Sequence, residues 1–319
     1  MILFQLLLWI MMFPSFPFVH WTGRAPMPRP RAGYAAGVLA SKMIIAGGSF
    51  WVGSVKQRTN AVDAFDPVCD CWHSLAPLPV ALSDTTAVVV GKTLFVLGGT
   101  AGAGGLRDVY AFDGKAWSKR DDLRMPEARL YGSAVTDGRR IYIIGGISVP
   151  GDYASGLRSV WSIDPSHADG GWSRLPDCPC EPRASAGVAA LPGSLFLAGG
   201  LRANARGDQN LADIWSLNLQ DRQWQRVGEL PEGRRAMWAA ASDGGVLLFG
   251  GYTDNFRAEI LAVRDGAVFR IGDLPEAVAD AGFFQIGPNW YTAGGETGQH
   301  IRGAHTWSGE IFFGPGKHE

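Results

Sequence analysis

The chain is poor in charge. Only 18% of its 319 residues are charged, and 29 Lys and Arg against 30 Asp and Glu leave a net charge of −1. A nucleic-acid surface needs a surplus of basic side chains, so the balance argues against that class of partner. Cysteine is scarce as well: four residues, arranged as the Cys-x-Cys pairs Cys69/Cys71 and Cys178/Cys180. Neither pair has the C-x2-C spacing of a zinc site, and no suitably spaced histidine is expected beside them. A chain that is 46% apolar can bury a large core and has little need of a disulfide framework, so the four read as incidental loop cysteines. Long apolar runs are missing too. The longest, Ile2 to Phe13, is twelve residues broken by Gln5, too short for the roughly 20 residues of a membrane-spanning helix. It fits the apolar stretch of a signal peptide, although no Lys or Arg precedes it and no small-x-small cleavage site follows. Two readings stay open. Residues 1–16 are an apolar leader and the protein is periplasmic or secreted, or the start codon is misassigned and the protein is cytoplasmic.

What the chain does have is glycine (43) and tryptophan (12), a pairing that suits many short strands, tight turns and recurring aromatic positions. Six segments share one pattern of apolar strand, polar turn, second strand and Gly-Gly: YAAGVLASKMIIAGG, TTAVVVGKTLFVLGG, YGSAVTDGRRIYIIGG, SAGVAALPGSLFLAGG, WAAASDGGVLLFGG and AGFFQIGPNWYTAGG. The first glycines are Gly47, Gly98, Gly145, Gly199, Gly250 and Gly294, spaced by 51, 47, 54, 51 and 44 residues. A third strand follows in each unit (AVDAFDP, DVYAFDG, SVWSIDP, DIWSLNL). A fourth then begins at an aromatic residue and ends in a proline turn (WHSLAPLP, WSKRDDLRMP, WSRLPDCP, WQRVGELP, FRIGDLP). Four short strands per ~50-residue unit make one propeller blade. The sixth unit lacks a fourth strand, and HWTGRAPMPRPR near the N-terminus matches it, with Trp21 in the place of Trp72. The N-terminal strand is therefore expected to close the last blade and remove the open sheet edges. Over nearly its whole length the chain resembles the kelch-repeat family. The fold expected is all-β, a single six-bladed propeller over residues 17–319.

In such a blade the fourth-to-first loops and the residues after each Gly-Gly share one mouth of the central channel. Those loops carry Arg31, Ser83-Asp84, Arg129, Arg183, Arg234-Arg235 and Asp280. Arginine in four of six loops predicts a positive mouth for a small anionic ligand, with Arg31, Arg129, Arg183 and Arg235 as carboxylate binders. The alternative use of these arginines is to bridge blades by bonding backbone carbonyls. Among the aromatic residues expected there, Tyr34 and Trp238 are candidates for packing against a sugar face, while Trp72, Trp117, Trp172 and Trp224 belong to the scaffold.

One repeat differs in chemistry. Ser49, Thr100, Ile147, Leu201 and Tyr252 follow five of the Gly-Gly pairs, but Glu296 follows the sixth, with Arg302 six residues on. A carboxylate beside a guanidinium at a channel mouth is a candidate for proton transfer; it also serves simply to pin a loop. On this motif the chain resembles the sialic acid mutarotase (N-acetylneuraminate epimerase) family, as a circularly permuted relative in which the motif lies in the last blade. The resemblance implies Glu296 and Arg302 as catalytic residues, an acidic sugar as substrate, and no metal or organic cofactor. The competing expectation is a non-catalytic propeller that holds a protein or carbohydrate partner on its loop face. A copper oxidase site needs two His and two Tyr at one mouth, and of six histidines only His300 is placed there.

Overall fold

The computed structural model describes residues 18–204, 208–243 and 245–312, so the proposed leader at 1–16 lies outside the described residues. Six four-stranded antiparallel sheets are arranged as blades around a channel. Blade 1 comprises Ala35–Leu39, Lys42–Ala46, Val62–Asp66 and Cys71–Ser74, and blade 2 comprises Thr86–Val90, Thr93–Leu97, Val109–Phe112 and Trp117–Lys119. Blade 3 follows with Ser133–Thr136, Ile141–Ile144, Val160–Ile163 and Ser173–Leu175, and blade 4 with Gly187–Leu191, Ser194–Ala198, Asp213–Asn218 and Trp224–Glu229. Blade 5 is Trp238–Ser242, Gly245–Phe249, Glu259–Arg264 and Ala267–Asp273. Blade 6 joins Phe283–Ile286, Asn289–Ala293 and Thr306–Phe312 to the N-terminal Phe18–Arg24. Among the described residues the helical elements are the two 3-10 turns Asp121–Leu123 and Ala168–Gly170, and no helix is long and apolar enough to cross a membrane.

The closing strand pairs as the repeat count demands, with Trp21 opposite Gly309. A Cβ at position 309 would lie 2.4 Å from the Trp21 ring, so only glycine admits the indole. The outer tryptophans explain the repeat. Trp72, Trp117, Trp172 and Trp224 each donate an indole N–H to a carbonyl of the preceding blade, at Ala25, Ala76, Leu123 and Pro176, over 2.8–2.9 Å. Trp21 does the same to Asp273 at 3.0 Å. The five tryptophans stitch blade to blade, and the stitch crosses the seam between the two chain ends.

Second strands read as continuous apolar runs because both of their faces are covered. In Lys42–Ala46, Met43 and Ile45 pack with Phe65 and Tyr291 toward blade 6, while Ile44 and Ala46 pack with Leu94 and Tyr110 toward blade 2. Successive side chains of a strand point to opposite faces, so a sheet held between two neighbours needs apolar residues at every position. Blade 2 repeats the division: Leu94 and Val96 face blade 1, and Phe95 and Leu97 face blade 3. Each fully buried Leu, Ile or Phe contributes roughly 1.5–3 kcal/mol. The core is thus a ring of interblade layers rather than one central mass.

Candidate functional site

Each Gly-Gly is a clasp between blades as well as a turn. Both glycines have positive φ, and the second donates its N–H to a carbonyl in the loop entering the next blade: Gly48 to Leu82, Gly99 to Arg129, Gly146 to Arg183, Gly200 to Arg234, Gly251 to Val278 and Gly295 to Arg31, over 2.7–3.0 Å. A Cβ on Gly98 would meet the Arg129 carbonyl at 2.4 Å. Glycine is therefore required by close approach as much as by conformation.

This clasp corrects the expected positive mouth. Arg31, Arg129 and Arg183 are buried, and their guanidinium groups turn down into their own blades. Arg129 donates to Gly145 O and to Ser159 Oγ at 2.8 Å. Arg183 donates to Gly199 O at 2.8 Å and grips Asp213 with two bonds of 2.9 and 2.8 Å. Arg31 bonds Ile45 O at 3.2 Å and Asp63 at 2.8 Å. Arg234 repeats the pattern toward Gly250 O at 3.3 Å. A buried guanidinium that bonds carbonyls and carboxylates of its own blade is scaffold, and none of these four lines the channel. Arg235 is different. It stays partly exposed, 4.6 Å over the Tyr252 ring, and donates to Asn210 Oδ1 at 3.0 Å.

The rim itself is formed two residues after the clasp. Gly33, Asp84, Tyr131, Ser185, Ala236 and Asp280 all adopt φ of 50–60° and line the channel. Their backbones are chained around the ring: Asp84 N to Gly33 O, Tyr131 N to Asp84 O, Ser185 N to Tyr131 O, Ala236 N to Ser185 O and Asp280 N to Ala236 O, at 2.7–3.1 Å. Holding a non-glycine residue in this conformation costs about 1–3 kcal/mol, so five of the six positions are strained and kept in place by their neighbours. The loop residues that sequence reasoning had set on a par with the arginines, Asp84 and Asp280, therefore occupy a different register and face the channel.

Between blades 6 and 2 the rim becomes a charged cluster. Asp84 takes two contacts from Lys56 Nζ, at 3.0 and 3.1 Å, and one from Ser83 Oγ at 3.0 Å. Lys56 reaches it from the hairpin Ser49–Val52 and Val55–Arg58 of blade 1. Gly33 leaves room for the carboxylate, since a Cβ there would lie 2.9 Å from Asp84 Oδ1. Burial and the Asp84 charge push the Tyr131 phenol upward from its ordinary range. On the other side, the hairpin Glu296–Gly298 and Ile301–Arg302 sets Glu296 directly opposite Arg302, and Arg302 Nη1 donates to Glu296 Oε1. Glu296 exchanges both backbone hydrogen bonds with Ala279, at 2.7 and 2.9 Å, which brings it beside Asp280. The Asp280 carboxyl is raised to about 7, first by burial and then by the negative charges of Glu296 and Asp84, with Arg302 and Lys56 opposing. Part of its surface opens to the channel, but protein surrounds it on its other sides, and that desolvation dominates.

The cavity beneath the rim is ≈ 520 Å³, within the usual range of small-molecule sites, and the inner strands of all six blades wall it. Trp238 lines it and meets Phe284 edge-on at 4.9 Å. Tyr34 lines it too, with its hydroxyl donating to Ala293 O at 2.5 Å and accepting from Gly282 N at 3.1 Å. At the rim, Trp51 stacks on His300 with ring centroids 3.8 Å apart and joins the hairpins of blades 1 and 6. The structure thus brings Glu296 and Arg302 together, keeps Tyr34 and Trp238 on the wall, and leaves Arg31, Arg129 and Arg183 outside. Sequence reasoning missed Asp84, Asp280, Lys56 and Tyr131 as one group. The signal was present: Leu82 and Val278 stand where other loops have arginine, and each is followed two residues later by an acid.

The cysteine reading is also corrected. Each pair is bridged, Cys69 to Cys71 and Cys178 to Cys180, and His73 lies beside the first bridge. Alternation along a strand brings Cys71 and His73 to one face, a spacing different from C-x2-C.

The KLHDC2/KLHL20/DRC7 kelch-repeats domain matches residues 76–251, and the kelch motif matches residues 30–79. Kelch-like protein 25 of Xenopus tropicalis is 26% identical over 253 residues, 76% of this chain and 40% of that protein. Beta-scruin of Limulus polyphemus is 28% identical over 221 residues, 66% of this chain and 23% of that protein. N-(sulfonatooxy)prop-2-enimidothioate sulfolyase of Thlaspi arvense is 29% identical over 183 residues, 54% of this chain and 52% of that protein. The chain therefore spans about half or less of the length of these relatives. The solved structure of YjhT superposes with a TM-score of 0.72, covering 89% of this chain and 96% of that one at 17% identity, a likeness of fold.

Proposed function

The chain belongs to the kelch-repeat family, and from that premise we propose that its channel mouth interconverts the anomers of an acidic sugar such as N-acetylneuraminate. The observation that carries this reading is Asp280, a carboxyl on the channel wall held near neutrality, with the Glu296–Arg302 pair beside it. A carboxyl that burial keeps protonated supplies an acid beside a neighbouring carboxylate. Glu296 takes the proton of the anomeric hydroxyl while Asp280 delivers one to the ring oxygen. The bond between the anomeric carbon and the ring oxygen breaks, leaving the open-chain carbonyl form. Rotation about the adjoining carbon–carbon bond presents the other carbonyl face, both transfers run in reverse, and the ring closes as the other anomer. Mutarotation proceeds without a catalyst, so paired proton transfer is sufficient help.

The substrate carboxylate meets Arg235, which stays partly exposed, with Lys56 held by Asp84 and Arg302 holding Glu296 in place. Tyr34 and Trp238 offer apolar wall to the sugar face. The motif-level resemblance to the sialic acid mutarotases supports the choice of substrate, and the sulfolyase relative is named for a small anionic compound. NMR exchange rates on freshly dissolved N-acetylneuraminate test the proposal. Wild type should speed exchange and Glu296→Gln should return it to the uncatalysed rate while still binding the sugar. Uncatalysed exchange with wild type overturns the reading.

A second reading has its own observation. The hairpins around the mouth end in exposed apolar side chains, Val52, Val55, Val149 and Ile301, between 49% and 60% exposed. Such tips suit a protein partner docked on the loop face. Alanine at all four tips would abolish that docking and leave anomer exchange intact.

A further inference from the structure

We propose that Cys69, Cys71 and His73 form a redox-gated binding site for a thiophilic divalent cation of the zinc class. The site stands at the outer edge of blade 1, apart from the channel. Cys71 and His73 alternate along the strand Cys71–Ser74 and so project from one face. Cys69 precedes them in a turn where Asp70 has φ 50°, a left-handed residue that folds the chain back. Asp70 Oδ1 accepts the Ala25 N–H at 3.1 Å, which ties this turn to the segment after the closing strand. The ligand atoms of all three side chains lie within 4.8 Å of one another. His73 Nε2 is 3.1 Å from Cys71 Sγ and 3.8 Å from Cys69 Sγ. Tetrahedral zinc bonds of roughly 2.0–2.3 Å place a nitrogen and a sulfur ligand about 3.5 Å apart, which the two His73–sulfur separations bracket. The two sulfurs are bonded to each other and must part on reduction.

Cys69 and His73 are exposed, so water completes a four-coordinate site of two sulfurs, one nitrogen and one oxygen. The disulfide is the closed state of the gate. A dithiol reductant transfers two electrons and two protons to the Cys69–Cys71 bond and becomes a disulfide itself. The two thiols then lose those two protons as their sulfurs bind the cation, while neutral His73 supplies its lone pair. The second pair provides a control on the same chain. Cys178 and Cys180 are buried, and the described residues place no third ligand beside them.

The test uses the full chain, reduced with dithiothreitol, desalted without oxygen and titrated with Zn2+ against a chromophoric chelator. One Zn2+ per reduced chain and none per oxidised chain is expected, with Co2+ giving sulfur-to-metal charge-transfer absorption. Cys69→Ser/Cys71→Ser should lose the site, and Cys178→Ser/Cys180→Ser should keep it. His73→Asn, an exposed change that leaves the fold alone, should weaken binding at least ~10-fold, the loss that removal of even an outer-shell partner brings. No Zn2+ bound by the reduced wild type, or equal binding after Cys69→Ser/Cys71→Ser, overturns the proposal.

Discussion

Blades 1, 3, 4 and 5 place a buried arginine before the inner strand, whereas blades 2 and 6 place Leu82 and Val278 there. The backbone clasp is the same in all six, since Leu82 and Val278 offer their carbonyls to Gly48 and Gly251 as the arginines do to their own partners. What differs is the charge. In the four arginine blades the cation is buried and answered within the blade, as Arg183 is by Asp213. In the other two the rim position holds Asp84 or Asp280, and their charges are answered across blades by Lys56, or act on one another and on Glu296. A charge satisfied inside its repeat stabilises; one left to be balanced between repeats is available for chemistry. Symmetry of the fold therefore conceals two chemically different sectors.

The largest effect belongs to the arginine sector. Arg183→Ala leaves Asp213 partly buried without its bidentate partner and the Gly199 carbonyl without its side-chain donor, so denaturant unfolding should show a loss of about 3–5 kcal/mol. Retained stability would mean that the clasp carbonyl alone holds the loop. In the acidic sector the expected loss is of rate instead. Glu296→Gln should slow anomer exchange by about 10²-fold or more, with the melting temperature shifted little. If the two variants exchanged these outcomes, the division between sectors would collapse.

Asp280 sharpens the comparison through pH. A carboxyl raised to about 7 in the folded chain, against about 3.9 in an unfolded one, binds its proton more tightly when folded. Stability from this group is therefore greatest at low pH and declines as pH rises through that interval. Asp280→Asn removes the ionisation, so its gain in melting temperature over wild type should be larger at pH 8 than at pH 5. A gain independent of pH would place the charge of Asp280 outside the energetics of the mouth. The smallest effect concerns the bridge between hairpins. His300→Ala removes the stack on Trp51 and should cost about 0.5–1.5 kcal/mol, read as faster amide exchange in Glu296–Gly298 and Ile301–Arg302.

Repeat-borne features were legible in the chain itself. The Gly-Gly period, the outer tryptophans and the displaced HWTGR segment specify six blades and their closure, because each follows from local strand alternation and a count of strands. Glu296 and Arg302 were legible as well, since a short hairpin leaves little choice about which residues face each other. The arginine loops were misread because sequence order does not tell whether a side chain at a turn points up to solvent or down into a blade. A shift of two residues decides it. That shift is set by the clasp between neighbouring blades, which takes the arginine carbonyl and turns the rim residue to positive φ. Asp280 owes its proton affinity to the same cause. Burial by its surroundings, the charge of Glu296 on its own blade and that of Asp84 two blades away around the ring exist together only once the ring has closed.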